Sequence, residues 1–81
     1  MTVGQTIRAA RERKGLSTAA VASTTRILHA TIEAIEADDY AALPSPVYVR
    51  GFVRSIAVFL DMNVDHTLIA FDRQVAMPGP G

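Results

Sequence analysis

Apolar residues recur along this chain at helical spacing, and small or polar residues punctuate the recurrences. Val3, Ile7 and Ala10 stand at i, i+4 and i+7, with Arg8, Arg11, Glu12 and Arg13 elsewhere on the wheel and Gly15 as a stop, which predicts a first helix over 3–14. Ser17 suits the N-cap of a short second helix over 18–24, with Val21 and either Ala20 or Ala22 turned inward. After a turn at 25–27, the set Leu28, Thr31, Ile32 and Ile35 marks the inner stripe of a third helix over 28–37, followed by Asp38 and Asp39. The stretch YAALPSP breaks the pattern, because a residue before proline is pushed out of the helical region. Ser45 then caps, and Pro46 opens, a fourth helix over 46–60. On a helical wheel Tyr48, Phe59, Phe52, Ile56, Val49, Leu60 and Val53 share an arc of about 140°. That is broader than one neighbour covers, so this helix is expected to be central, with Arg50, Arg54, Val47 and Val58 on its other side. Asn63 is the N-cap of a fifth helix over 64–72, which starts at Val64 and packs Leu68 and Phe71 inward.

The architecture these elements predict is all-α, a compact five-helix bundle in a single domain. The terminal AMPGPG cannot extend a helix, so the fold is expected to end near Arg73 or Gln74, giving a domain over 1–74. A Pro/Gly linker over 75–81 is expected to lead into further chain beyond Gly81. At 81 residues, with 49% apolar and 20% charged side chains, the composition is that of a small globule. Three Phe, two Tyr and no Trp leave Leu, Ile, Val and Ala to supply most of the core, which favours helices over a sheet.

Charge changes the functional picture more than the structural one. Eight basic and eight acidic residues cancel, whereas a domain that lives on phosphate contacts is usually basic. No cysteine is present, His29 and His66 are isolated, and no glycine-rich phosphate loop or nucleophile arrangement occurs. The sequence therefore offers no enzyme and no cofactor, and no apolar run approaches the length of a membrane span.

The spacing of Val21, Ala22, Ile27, Ile32, Ile35 and Glu36 is that of a repressor-type helix-turn-helix. If the scaffold reads DNA, the third helix is the recognition element, and Thr18, Arg26, Leu28, His29 and Thr31 are the candidate contacts. Against that use stand Glu33, Glu36, Asp38 and Asp39, which are expected to make this face too negative for a phosphate backbone. The basic run of the first helix is expected to be partly structural, with Arg8 or Arg11 pairing with Glu36.

The segment LPSPVYVRGFVRSIAVFL is more specific. Together with IRAARERKGLS and NVDHTL, it resembles the bacterial RodZ-like cell-shape proteins, in which a Pro-rich turn leads into an aromatic-x-Arg-Gly-aromatic-x-Arg-Ser helix. The likeness covers about residues 4 to 72. It departs from the family pattern where Leu28-His29 replaces a common Arg/Lys-Pro pair, Ile56 a frequent Tyr, and Asp61 a frequent Gly. The resemblance implies a cytoplasmic domain joined by a linker to one transmembrane helix outside this chain, and a protein partner, either the actin-like filament protein MreB or other wall-elongation proteins. It also implies that the fourth helix makes the contact through the two aromatics of YVRGF, Tyr48 and Phe52. Arg50 is the candidate polar rim of that surface, or else simply solvated. Tyr48, at the margin of the apolar arc with a hydroxyl seeking water, is expected to be partly exposed; Phe52 could be anchor or core. Sequence-specific DNA binding as a transcriptional regulator stays open as the second reading.

Overall fold

Local capping chemistry sets most helix boundaries in the computed structural model, which describes residues 1–43 and 45–76. Helix α1 (Val3–Arg13) opens with a capping box: the Gln5 N–H donates to Thr2 Oγ1 at 3.1 Å, and the Thr2 N–H donates to Gln5 Oε1 at 2.9 Å. Helix α2 (Thr18–Thr25) starts where the Ala20 N–H donates to Ser17 Oγ at 3.0 Å. Helix α3 (His29–Glu36) has Leu28 at its N-cap and so lacks a side-chain acceptor there. Helix α4 (Pro46–Phe59) begins with proline after Ser45, and α5 (Val64–Ala76) begins where the His66 N–H donates to Asn63 Oδ1 at 2.9 Å. A 3-10 turn, Tyr40–Ala42, lies between α3 and α4.

The helices end in left-handed turns. Gly15 (φ 67°) turns the chain after α1, and Arg26 (59°), Asp38 (58°) and Asp61 (56°) occupy the same region after α2, α3 and α4. Asp enters this region more readily than most L residues, which reconciles Asp61 with the glycine common there in the resembled family. Arg26 has no such help, and its conformation costs about 1 kcal/mol.

Ile7, Val21, Ile32, Ile35, Val49, Val53 and Ile56 are fully buried and join one core, to which Leu60 and Phe71 also belong. Helix α4 packs along α5 and against α2, while α1 packs on α3 and α5, so α4 holds the two halves together. The core is aliphatic apart from Phe71, whose ring meets Tyr40 edge to face at 5.5 Å between centroids.

Two polar ties close the helix-turn-helix half. Arg11 donates from Nε and Nη2 to the two carboxylate oxygens of Glu36 at 2.7 and 2.9 Å, and from Nη1 to the Leu16 carbonyl at 2.8 Å. The Glu36 hydrogen bonds hold the Arg11 guanidinium above its ordinary pKa, against the opposing effect of burial. Asp38 forms the second tie, accepting from the Gly4 N–H at 2.9 Å, Gln74 Nε2 at 2.7 Å and the Tyr40 hydroxyl at 3.2 Å, and also from Thr2 Oγ1. Burial alone would raise the Asp38 pKa, but the four donors outweigh it and the net displacement is downward. Burial and the neighbouring Asp38 charge push the Tyr40 hydroxyl pKa up. Gly4 permits this closure: a Cβ there would press on the carbonyls of Ile35 and Glu36 and on Asp38 Oδ1.

The five predicted helices are all present, the first four within one residue of their expected ends. Helix α5 differs, running to Ala76 rather than 72, because Gln74 bridges Asp38 to the Val3 N–H (2.9 Å) and Val75 packs on the core. The linker was expected from residue 75, but residues 75 and 76 are helical, and the rest of that tail lies outside the described residues. Leu28, expected on the inner stripe, is 76% exposed because it precedes the helix.

Candidate protein-interaction surface

Helix α4 needs only one side to hold the core, and what remains on its other side is largely apolar. Val49, Val53, Ile56 and Ala57 are buried, whereas Val47 (77%), Tyr48 (65%) and Val58 (57%) are exposed. Tyr48 thus lies outside the arc that packs, while Phe52 and Phe59, next to it on the wheel, are half-buried against the core. The structure brings Tyr48 and Phe52 to one face, one turn apart, with Tyr48 as the freer ring.

Arg50 does not join them. Two residues on, it is about 200° around the helix from Tyr48, and it donates from Nε and Nη2 to the Asp72 carboxylate at 2.9 and 3.2 Å. The Asp72 hydrogen bonds and charge raise the Arg50 pKa. Arg50 is therefore not merely solvated: it ties α4 to α5 on the far side from the exposed ring. Arg54 has no hydrogen-bonding or ionic partner among the described residues and, at i+6 from Tyr48, leans back toward the exposed apolar side.

The DNA candidates are only partly assembled. Thr18 Oγ1 and His29 Nε2 share a hydrogen bond at 2.6 Å, which links the starts of α2 and α3 and occupies one ring nitrogen. Arg26 and Leu28 are exposed and Thr31 is half-buried. The acidity expected of this face is smaller than the sequence suggests, because Glu36 is engaged by Arg11 and Asp38 points into its own cluster. Glu33 stays on the outer side, 4.0 Å from His29. Among the described residues no set of three or more His, Asp or Glu side chains is placed to hold a metal ion, and no helix is long and apolar enough to cross a membrane.

The Asp38 cluster and the Arg50–Asp72 pair escaped sequence reasoning. Apart from Tyr40, their members are distant along the chain, and the local signal was an acid, Asp38, at a helix end.

Comparison with known proteins bears on the family of the fold. The helix-turn-helix domain family matches residues 6–67. A relative described as cytoskeleton protein RodZ, from Streptococcus pneumoniae, is 38% identical over 71 residues, covering 88% of this chain and 26% of the relative. The chain thus spans about a quarter of that relative's length. No solved structure matches the chain. The matched family, the identity to RodZ and the five-helix fold together place this chain in the helix-turn-helix domain family, as a RodZ-like member.

Proposed function

We propose that this chain is the cytoplasmic interaction domain of a cell-shape protein. It couples an actin-like filament of the MreB type, or the wall-elongation machinery around it, to the membrane. The domain ends with α5, and the Pro/Gly tail begins a linker to a transmembrane segment outside this chain. It binds without catalysis, and helix α4 is the docking element, with Tyr48 and Phe52 as its aromatic anchors. The observation that carries this reading is the 65% exposure of Tyr48 beside exposed Val47, on a helix that exposes a further valine, Val58, about three turns on. Aromatic rings on such a patch dominate the energetics of protein interfaces.

The test is co-sedimentation of the purified full chain with MreB filaments. Tyr48→Ala is expected to weaken binding by about 30-fold, the loss of one aromatic hot spot, with the helical circular dichroism unchanged. Binding equal to wild type would remove Tyr48 and this use of α4.

The competing use of the scaffold is DNA recognition through α3. Its outward residues are His29, Ala30 and Glu33, with no Arg or Lys among them, so positioning contacts to phosphate are scarce. Titration with duplex DNA at two salt concentrations separates the readings: submicromolar binding with a steep salt slope would favour the regulator.

A further inference from the structure

Gly51 sits in the middle of α4 although glycine is a poor helix former, and nothing inside the described fold asks for it. A Cβ built there meets nothing within 4 Å, in contrast to Gly4, whose Cβ would strike the backbone of α3. Its φ is not in the left-handed region either. The fold itself thus gives no reason for a missing side chain at this position.

The helical neighbours of Gly51 at i−4, i−3, i+3 and i+4 are Val47, Tyr48, Arg54 and Ser55, and all four are exposed. They surround the bare backbone of Gly51 on the outer side of α4, so a side chain from a facing surface could reach that backbone between them. This surround is apolar on one side and cationic on the other. Helix α4 contains no acid, and while Arg50 is neutralised by Asp72, Arg54 has no such partner among the described residues.

Building on the reading of α4 as a docking element, we infer that Gly51 is the floor of a notch that receives a bulky apolar side chain of the protein partner, and that Arg54 meets a carboxylate beside that side chain. The occupant is thus a protein surface with an apolar knob next to an acid, rather than a nucleic acid, because the residues around Gly51 offer one cation beside two apolar side chains.

Gly51→Ala and Gly51→Gln fill the notch in two steps and should have opposite effects on folding and docking. Both variants raise the melting temperature of the full chain, by about 3–6 °C, because each is a better helix former than glycine. Both weaken co-sedimentation with MreB filaments, Gly51→Gln by about tenfold or more and Gly51→Ala by less. Arg54→Glu weakens binding as well, with the melting temperature unchanged.

Wild-type affinity in Gly51→Gln together with lost affinity in Tyr48→Ala overturns the notch while leaving α4 as the docking helix. Wild-type affinity in both overturns the two readings together, as does a wild-type chain that fails to sediment with filaments. A Gly51→Gln variant that instead changes the oligomeric state of the chain alone identifies a second copy as the occupant, and the proposal is wrong.

Discussion

Helices α3 and α4 each turn one face to the core and one to solvent, and they treat polarity in opposite ways. On and just after α3 most of the charged and ring groups are engaged within the fold, Glu36 by Arg11, His29 by Thr18, and Asp38 by residues of α1, the 3-10 turn and α5, while Glu33 stays on the outer side. On α4 the outward side keeps an exposed tyrosine, two exposed valines and an arginine, Arg54, without a partner among the described residues. The helix that a DNA reader of this scaffold would use is thus largely wired into the structure, and the outward side of α4 is left available. A shared fold says where such a protein is stable, and only side chains say where it works.

If α3 is mainly structural, the largest effects on folding should come from its ties to α1. Gly4→Val is expected to cost about 3 kcal/mol, because the new side chain must displace backbone carbonyls rather than a flexible neighbour. Thermal melting followed by circular dichroism should show a fall of about 15 °C. A loss below about 1 kcal/mol would mean that the junction of α1 and α3 yields easily, and the contrast with α4 would weaken.

Glu36→Ala should come next. It leaves the Arg11 guanidinium, with its side chain only 12% exposed, without its two-pronged partner. A loss of about 2 kcal/mol is expected in urea denaturation, since the unpaired charge is harmful in addition to the missing contact. Arg11→Met together with Glu36→Leu should recover most of it. Failure of that rescue would show that the pair does more than satisfy itself.

Asp38 allows a test by pH. Its folded-state pKa lies below the ordinary value of 3.8, so its carboxylate contributes stability that is complete well above pH 3.8 and is lost as pH falls below it. Asp38→Asn keeps a side chain tolerant of the positive φ but removes the charge. The variant should be about 1 kcal/mol less stable at pH 7. The gap should close as both proteins are acidified below 3.8. A gap that persists at pH 2 would assign the loss to geometry rather than to charge.

These ties show where the sequence was readable. Helical period and caps gave five helices, since Ser17, Ser45, Asn63 and Gly15 act within one turn of their own positions. The Arg11–Glu36 pair was foreseeable because the scaffold brings α1 to the end of α3. Tyr48 was readable as exposed from its hydroxyl and its place at the edge of the arc. The Asp38 cluster was not, since it joins Thr2, Gly4, Tyr40 and Gln74, and Gln74 lies beyond the expected end of α5. The tertiary contacts of Gln74 and Val75 extend that helix, and no local rule reports them. The negative face expected on α3 was overestimated for the same reason: counting acids ignores which ones the fold has already paired.

The smallest expected effect tests the comparison from the quiet side. Leu28 is 76% exposed, has no capping role for its side chain, and stands at the start of the helix that would enter DNA. Leu28→Ser should change stability by no more than about 0.5 kcal/mol, because an exposed side chain outside the core loses little when shortened. If α4 alone docks the partner, the variant should also bind filaments as wild type does. A tenfold loss in that assay, with the fold intact, would extend the docking surface across the helix-turn-helix. The two helices would then share one task, and the exposed leucine at the head of α3 would belong with Tyr48 rather than apart from it.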